Sequence, residues 1–180
     1  MRVIAGAAKG VRLGPVPPGT RPISDRAREG VFSSLAARVP GAMVLDLYAG
    51  TGAAGIEALS RGADHATFVD RSRQAIRTIH DNLQRSKLTA NATVVEREVA
   101  RFLGTSVEPF DLVFVDPPYD TAPESVAGDL EKLAGGWLAE GATVALTRPR
   151  KGYIPVIPVS WQVARRLEYG DTLVVLYREV

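Results

Sequence analysis

The chain has 180 residues, of which 46% are hydrophobic and 23% are charged, a composition typical of a globular protein with one main domain. It contains no cysteine, which excludes disulfide bonds, thiolate metal sites and cysteine nucleophiles. No apolar run approaches the roughly 18 residues that a membrane span requires, and Lys9 interrupts the N-terminus where a signal peptide would continue. We therefore expect a cytoplasmic protein.

The N-terminal part of the chain is basic. The net charge of the chain is only +2, but residues 1–28 hold six basic residues against a single acidic one, Asp25. A basic segment favours a polyanionic partner, although the charge alone fits a solvated, poorly ordered terminus equally well. The candidate contacts are Arg2, Lys9, Arg12, Arg21, Arg26 and Arg28.

Residues 1–20 are rich in glycine and proline, which predicts a small β-hairpin arm and a linker ahead of a main domain over residues 21–180. The arm is too short to form a core of its own. We therefore expect it to serve substrate recognition and to contribute little to the fold or to a ligand-binding site in the main domain. The alternative is that the arm packs over a ligand pocket.

Beyond the arm, helices and strands alternate. The spacing of apolar residues predicts helices over residues 25–38, 53–62, 72–87, 99–104 and 123–134. Buried strands are predicted over residues 42–47, 65–70, 92–96, 111–116 and 142–147, and the segments WQVARRLEY and TLVVLYREV flank the turn signal Gly170-Asp171. This alternation predicts an α/β fold, a doubly wound and mostly parallel seven-stranded sheet that ends in an antiparallel hairpin.

A glycine-rich loop follows the first predicted strand and leads into a helix, in the order Asp46-Leu-Tyr-Ala-Gly50-Thr-Gly52-Ala-Ala-Gly55. In a G-x-G-x-x-G pattern the bare backbone lets a ligand lie close to a tight turn. Asp70 ends the second strand, where a carboxylate can hold both ribose hydroxyls of an adenosine. The motif predicts an adenosine-containing cofactor at the carboxyl edge of the sheet, and NAD(P) and S-adenosylmethionine both fit it.

Asp46 distinguishes between these two cofactors. A carboxylate at the end of the first strand suits the cationic sulfonium and amino group of S-adenosylmethionine better than a pyrophosphate. Glu98, after the third strand, is a candidate for the adenine end, and a surface carboxylate explains it almost equally well. Neighbouring loop residues complete the predicted cofactor-binding set, namely Tyr48, Thr51 and Arg71.

The fourth predicted strand ends in Asp116-Pro117-Pro118-Tyr119. An exocyclic amine on a base is a poor nucleophile because its lone pair is delocalised into the ring, and acceptors aimed at its hydrogens favour the pyramidal form that attacks a methyl group. The Asp116 carboxylate and the Pro117 carbonyl are such acceptors, and the two prolines stiffen the loop. Tyr119 is suited to stack on a base that has swung out of a helix. These four residues form the predicted catalytic site, although the isolated tetrapeptide would be an ordinary Pro-Pro turn.

The order of glycine loop, acidic strand end and DPPY resembles that of the class I amino-methyltransferases. The segments MRVIAGAAKGVRL, RPISDRAREGVFSSL, LDLYAGTGAAGIEALSRGA and VFVDPPY are similar to one family over almost the whole chain, the 16S ribosomal RNA guanine(966)-N2 methyltransferases. Two departures, Ile23 and Ser33 where the family often has Thr and Asn, put only local contacts of the N-terminal helix in doubt.

This resemblance implies a class I Rossmann-like fold, S-adenosyl-L-methionine as the methyl donor, and guanine N2 in 16S rRNA as the acceptor. It also implies a substrate that already carries proteins of the small ribosomal subunit. Carried over by position, Gly50, Gly52 and Asp70 contact the cofactor, and Asp116 through Tyr119 hold the target base. The basic residues of the arm then become candidate RNA contacts.

Three other classes of protein share part of this pattern. An NAD(P)-dependent oxidoreductase would share the glycine loop and Asp70, but the sequence has no evident hydride-transfer acid or second substrate domain. A DNA adenine-N6 or protein-glutamine methyltransferase fits the pocket chemistry, although DNA enzymes usually add a target-recognition domain. A catalytically silent RNA-binding module is disfavoured by the intact glycines and Asp116.

The remaining polar residues give weaker signals. His65 and His80 lack the spacing of metal ligands, so no metal site is predicted, and we expect a monomer without a membrane partner. The basic residues after the fifth strand lie at the same edge as the pocket, where RNA contact and solvated surface explain them equally well. These residues are Arg148, Arg150 and Lys151.

Overall fold

The computed structural model describes residues 1–18, 22–105 and 107–180. Within these residues, seven strands form one sheet in the order β3-β2-β1-β4-β5-β7-β6. The strands are β1 (Met43–Leu47), β2 (His65–Asp70), β3 (Ala92–Glu96), β4 (Phe110–Val115), β5 (Leu138–Pro149), β6 (Trp161–Tyr169) and β7 (Thr172–Glu179). The α-helices are α1 (Asp25–Ser34), α2 (Ala53–Ser60), α3 (Arg73–Ser86), α4 (Val99–Phe102) and α5 (Pro123–Ala134).

The pairing of the strands confirms the predicted sheet. Strands β1 to β5 pair in parallel, β7 joins β5 in the antiparallel direction, and β6 pairs with β7 across the predicted hairpin. Helices cover both faces, which is why the central strands are apolar on both sides. One core packs α1, α2 and α3 against one face, and a second packs α4 and α5 against the other. None of the helices in the described residues is long and apolar enough to cross a membrane.

Two predicted boundaries differ from the structure by four residues, and the others differ by at most two. The first helix ends at Ser34, and the rest of the predicted segment is a short 3-10 turn over Ala36–Arg38. Strand β5 begins at Leu138, four positions before the predicted start, because Leu138 pairs with Phe110 ahead of a shift in the register of β4 and β5. Gly141, with φ of 74°, lies in this irregular stretch, and its turn-like character hides the beginning of the strand from a sequence pattern.

The N-terminal arm, residues 1–18 of the described chain, is packed onto the main domain. Its predicted hairpin is reduced to one antiparallel bridge between Arg2 and Arg12. Three of its side chains are buried in the core beside α1, α2 and α3, namely Val3, Ala8 and Leu13. The prediction that the arm contributes little to the fold is therefore wrong, since the arm shares the core of the main domain instead of needing one of its own.

Helix α2 supplies most of the polar contacts of the arm. The buried Glu57 carboxylate accepts from the backbone N–H groups of Ile4 (2.8 Å) and Ala5 (3.0 Å). The Ser60 hydroxyl oxygen accepts from Ala8 N (2.9 Å), and the Ser60 carbonyl accepts from Ala7 N (2.8 Å). These bonds fix the arm against the helix that follows the glycine loop.

Candidate functional site

The carboxyl ends of three neighbouring parallel strands bring the predicted site residues together. In β1, Leu47 is level with Val69 of β2 and with Val115 of β4. The residues that follow these strands are therefore at one edge of the sheet, and the Asp116 N–H donates to the Leu47 carbonyl at 3.4 Å. This edge is where open α/β sheets bind their ligands.

The glycine loop has the backbone conformation that its sequence predicts. Gly50 has φ of 57° and Gly52 has φ of 77°, a region that side-chain-bearing residues rarely adopt. A Cβ added to Gly50 would meet nothing within 4 Å, whereas one added to Gly52 would lie 3.2 to 3.4 Å from Ile79, Phe68 and Ile56. Gly52 thus closes the turn against the core, and Gly50 leaves open space beside the loop.

Asp70 is held in place by backbone donors. One of its carboxylate oxygens accepts from Gly50 N at 2.9 Å, and the other accepts from Ser72 N at 2.8 Å. A carboxylate oxygen has two lone pairs, so each can accept a further hydrogen bond. A carboxylate oriented in this way beside an open glycine loop suits the two hydroxyls of a ribose.

Asp46 is buried under the loop. Its carboxylate accepts from Gly55 N at 2.9 Å, in the first turn of α2. Burial raises the pKa of Asp46 to about 8, with the Gly55 hydrogen bond opposing the shift and the charges of Asp116 and Asp70 adding to it. The structure therefore gives Asp46 a part in starting the helix, and its contact with a cationic cofactor stays a prediction.

Tyr48 connects the loop to α5. It has φ of 57°, and its hydroxyl donates to the buried Asp129 carboxylate at 2.5 Å. Burial, followed by the bond to Asp129, raises the pKa of Tyr48. Glu98 is exposed, with a carboxylate oxygen 3.7 Å from Arg101 Nε, and its charge acts on both Tyr48 and Asp129. Asp129 was not predicted from the sequence; its signal is a carboxylate on the apolar face of α5.

Asn82 is a second residue that the sequence analysis missed. It is fully buried on α3, its amide nitrogen donates to the Thr51 carbonyl at 2.8 Å, and its amide oxygen accepts from Gly14 N at 2.6 Å. The Thr51 hydroxyl lies 3.9 Å from the Met1 sulfur. Asn82 therefore joins the glycine loop to the N-terminal arm, and its signal is a polar residue on the same helical face as Ile79 and Ser86.

The DPPY segment forms the loop after β4. Asp116 and Tyr119 are half-buried, Pro117 is buried and Pro118 is exposed. Burial raises the pKa of Asp116 to about 7, and the positive charge of Arg148 opposes this shift. The loop thus offers a carboxylate that titrates near neutrality and an aromatic ring at the same edge as the glycine loop and Asp70.

The predicted RNA contacts divide into four exposed residues, one residue outside the described part of the chain, and the buried Arg28. Four of them are exposed, namely Arg2, Lys9, Arg12 and Arg26, and in the described part of the chain their side chains form no ion pair. Arg71, predicted as a cofactor contact, is also exposed. Arg21 lies outside the described residues.

Arg28 requires a correction. It is 1% exposed, lies 3.0 Å from Asp25 and 3.9 Å from Glu57, and donates to the Arg2 carbonyl. A side chain buried in this way is not available to RNA, so its prediction as an RNA contact is wrong. Arg28 instead joins α1, α2 and the arm.

Among the described residues, no group of three or more histidine, cysteine, aspartate or glutamate side chains is arranged to hold a metal ion. The acidic residues of the site, Asp46, Asp70 and Asp116, are engaged by backbone N–H groups or by the field of a cation instead.

Comparison with known proteins agrees with this geometry. The chain is 37% identical over 181 residues to the ribosomal RNA small subunit methyltransferase D of Escherichia coli K12, an alignment that covers 99% of this chain and 89% of that protein. A solved structure from Escherichia coli, whose description names a methyltransferase, has a TM-score of 0.89 at 36% identity and covers 99% of this chain and 97% of its own. A hypothetical protein from Thermus thermophilus has a TM-score of 0.82 at 33% identity, with 98% of each chain covered.

These likenesses show that the fold is that of the class I methyltransferases and that the protein is a methyltransferase, and they confirm the resemblance drawn from the sequence. The family model described as conserved hypothetical protein 95 matches residues 1–178. The chain belongs to this family.

Proposed function

We propose that the protein transfers a methyl group from S-adenosylmethionine to the exocyclic N2 of a guanine in 16S rRNA of the small ribosomal subunit. The observation that carries the proposal is the half-buried Asp116, held at the edge of the sheet beside the glycine loop and followed by Pro-Pro-Tyr. A relative 37% identical over nearly the whole chain carries the name of a small-subunit rRNA methyltransferase, which supports rRNA as the substrate.

The residues around the glycine loop fit S-adenosylmethionine. Asp70 has both oxygens oriented by backbone N–H groups and would hold the ribose hydroxyls. The space beside Gly50 would admit the cofactor against bare backbone. When bound, the cofactor supplies an electrophilic methyl group on a cationic sulfur, and the acidic side chains at this edge favour that charge in their ionised form.

The residues of the DPPY loop would hold the target base. The Asp116 carboxylate and the Pro117 carbonyl accept hydrogens of the N2 amine, which favours its pyramidal, nucleophilic form. The nitrogen loses a proton once it carries the methyl group, so Asp116 does not have to be a strong base. Tyr119 stacks on the ring of a base that has left its own stack, an interaction worth about 1–3 kcal/mol.

The N-terminal arm is proposed to contact the RNA backbone. Arg2 and Arg12 lie opposite each other across the antiparallel bridge, an arrangement of like charges that is unfavourable in the absence of an anion. A phosphate between them would relieve this repulsion. Because the arm touches the glycine loop through Met1 and Asn82, the bound RNA would lie close to the methyl donor, and the reaction is expected to occur in the cytoplasm.

Substitution of Asp116 tests the proposal. Asp116→Asn keeps the shape of the side chain and removes its charge, so we expect unchanged affinity for S-adenosylmethionine and a fall of about 100- to 1,000-fold in methyl transfer. The matched control is Asp111→Asn at the opposite end of the same strand, where the carboxylate is exposed and accepts from Met43 N at 2.8 Å. Near wild-type transfer by the Asp116 variant on small-subunit rRNA would show that Asp116 is only a strand end.

A further inference from the structure

Arg148 is a buried cation beside the DPPY loop. It lies near the carboxyl end of β5, two residues beyond Leu146, which pairs with Val115 of β4. Continuation of this register puts Arg148 level with Pro117. The residue is only 3% exposed, which is rare for an arginine without a partner.

In the described part of the chain, Arg148 has neither an acceptor for its buried nitrogens nor a carboxylate in an ion pair. Its Nε and Nη1 atoms are buried without a hydrogen-bond acceptor, and no carboxylate among the described residues lies within 4.0 Å of it. Burial lowers the pKa of Arg148, while the charges of Asp116 and Tyr119 raise it. Of these two residues of the proposed target site, Asp116 is the carboxylate whose field acts on the guanidinium.

Arg28, the other buried arginine among the described residues that lacks acceptors at Nε and Nη1, differs from Arg148 in having carboxylate partners. Its Nη2 donates to the Arg2 carbonyl and lies 3.0 Å from Asp25, and its Nε lies 3.9 Å from Glu57. Burying a charged donor without an acceptor destabilises a folded protein, and an apolar side chain of similar volume would serve packing better. A residue of this kind at a functional edge indicates a ligand that supplies the missing acceptor.

We propose that Arg148 donates hydrogen bonds to O6 of the target guanine while Asp116 and Pro117 hold its N2 amine. This inference rests on the proposed function and assigns a residue that selects the base. Along one edge guanine presents N2 and N1 donors and then the O6 acceptor, so a carboxylate and a guanidinium that are near each other but not paired match its two ends. Arginine is a favoured donor to O6 of guanine in nucleic-acid recognition.

Binding of the base requires access to this cation. Nε and Nη1 are enclosed in the free protein, so the inference requires that the DPPY loop, in which Tyr119 is only half-buried, moves when the base enters. A base that lacks an acceptor at the O6 position would leave the guanidinium buried and unpaired. Arg148 would therefore discriminate by penalising the wrong base as well as by binding the right one.

The test combines a variant of the protein with a variant of the base. Small subunits are assembled with rRNA that carries either guanine or 2-aminopurine at the methylated position; 2-aminopurine keeps the N2 amine but has hydrogen in place of O6. Wild type, Arg148→Met and Arg148→Lys are compared on both substrates by kcat/KM. Because 2-aminopurine also lacks the hydrogen on N1, its effect is read as the difference between variants, in which the N1 contribution cancels. The control is Arg150→Met, an exposed arginine 2.9 Å from Glu168.

Wild type and Arg150→Met are expected to prefer guanine over 2-aminopurine by roughly 10- to 100-fold, the effect of a hydrogen bond to a charged group. Arg148→Met is expected to bring this ratio close to one, with a melting temperature equal to or above that of wild type because an unpaired buried charge has been removed. Arg148→Lys, which keeps the positive charge but loses the planar set of guanidinium N–H donors, is expected to give an intermediate ratio.

An unchanged preference in Arg148→Met would overturn the inference. Equal slowing on both substrates, together with a pH profile shifted upward, would mean that Arg148 acts only by keeping Asp116 ionised. Failure of Arg148→Met to fold would assign the residue a structural role, and Arg148→Lys would then have to lose discrimination for the O6 contact to stand. Absence of guanine methylation by wild type is a different outcome, because it contradicts the proposed function itself.

Discussion

Replacement of Asn82 by alanine tests the connection between the arm and the cofactor loop. Asn82 is fully buried, and its amide serves two backbone groups, the Gly14 N–H at 2.6 Å and the Thr51 carbonyl at 2.8 Å. Asn82→Ala leaves both groups buried without a partner, at a cost of about 1–3 kcal/mol each. The expected destabilisation is therefore about 2–6 kcal/mol, a fall in melting temperature of roughly 4–24 °C for a protein of this size.

The assay is thermal unfolding followed by circular dichroism, together with calorimetric titration of S-adenosylmethionine. Because Thr51 belongs to the glycine loop, we expect cofactor affinity to weaken by about tenfold, which corresponds to about 1.4 kcal/mol. Asn91→Ala is the matched control, since Asn91 is exposed and donates a single hydrogen bond, to the Asp64 carbonyl at 3.0 Å. If both variants melted within about 2 °C of wild type, the bridging role of Asn82 would be refuted.

Three further predictions concern the donor site, the pH dependence and the arm. Asp70→Ala is expected to raise the Kd for S-adenosylmethionine by roughly 10- to 100-fold, since each lost charge-assisted bond is worth about 1.5–3 kcal/mol; calorimetry with unchanged affinity would remove Asp70 from the ribose site. Because burial raises the pKa of Asp116 to about 7 and its carboxylate is the active form, kcat/KM is expected to rise with pH through about 7, and a flat profile between pH 6 and 8 would contradict this. The double substitution Arg2→Gln and Arg12→Gln is expected to keep the melting temperature and to make the log–log salt slope of RNA binding shallower by about 1.4. Deletion of residues 1–13, in contrast, is expected to destabilise the fold by about 3–6 kcal/mol through loss of buried Val3 and Leu13. A deletion variant as stable as wild type would show that the stability of the main domain does not depend on the arm.

Much of the fold follows from local sequence patterns. The apolar runs of β2 and β3 have the predicted bounds, because a short apolar strand that ends in a charged residue carries its limits in its own residues. The Gly170-Asp171 turn likewise predicts the antiparallel β6–β7 hairpin. The beginning of β5 was not predictable, because Leu138 is a strand residue only through its pairing with Phe110, which is a tertiary contact.

The site was predictable where chemistry requires a particular residue type at a particular strand end. The glycines of the loop, Asp70 and the DPPY segment are brought to one edge as their spacing indicates. The sequence could not separate buried from exposed basic residues. Arg28 and Arg26 look alike in sequence, and only packing against Glu57 shows that Arg28 is buried. The polar residues that hold the loop, Asn82 and Asp129, were missed because helical periodicity marks a buried polar position but does not name its partner.

Methyl transfer to guanine N2 is tested by incubating the protein with isotope-labelled S-adenosylmethionine and small ribosomal subunits that lack the modification. The rRNA is then digested and its nucleosides are identified by mass spectrometry. Naked 16S rRNA is treated in parallel to establish which form is the substrate. Label is expected in N2-methylguanosine at one position, lost in Asp116→Asn and retained in Asp111→Asn. Label in a different nucleoside, or none in either RNA substrate, would contradict methyl transfer to guanine N2.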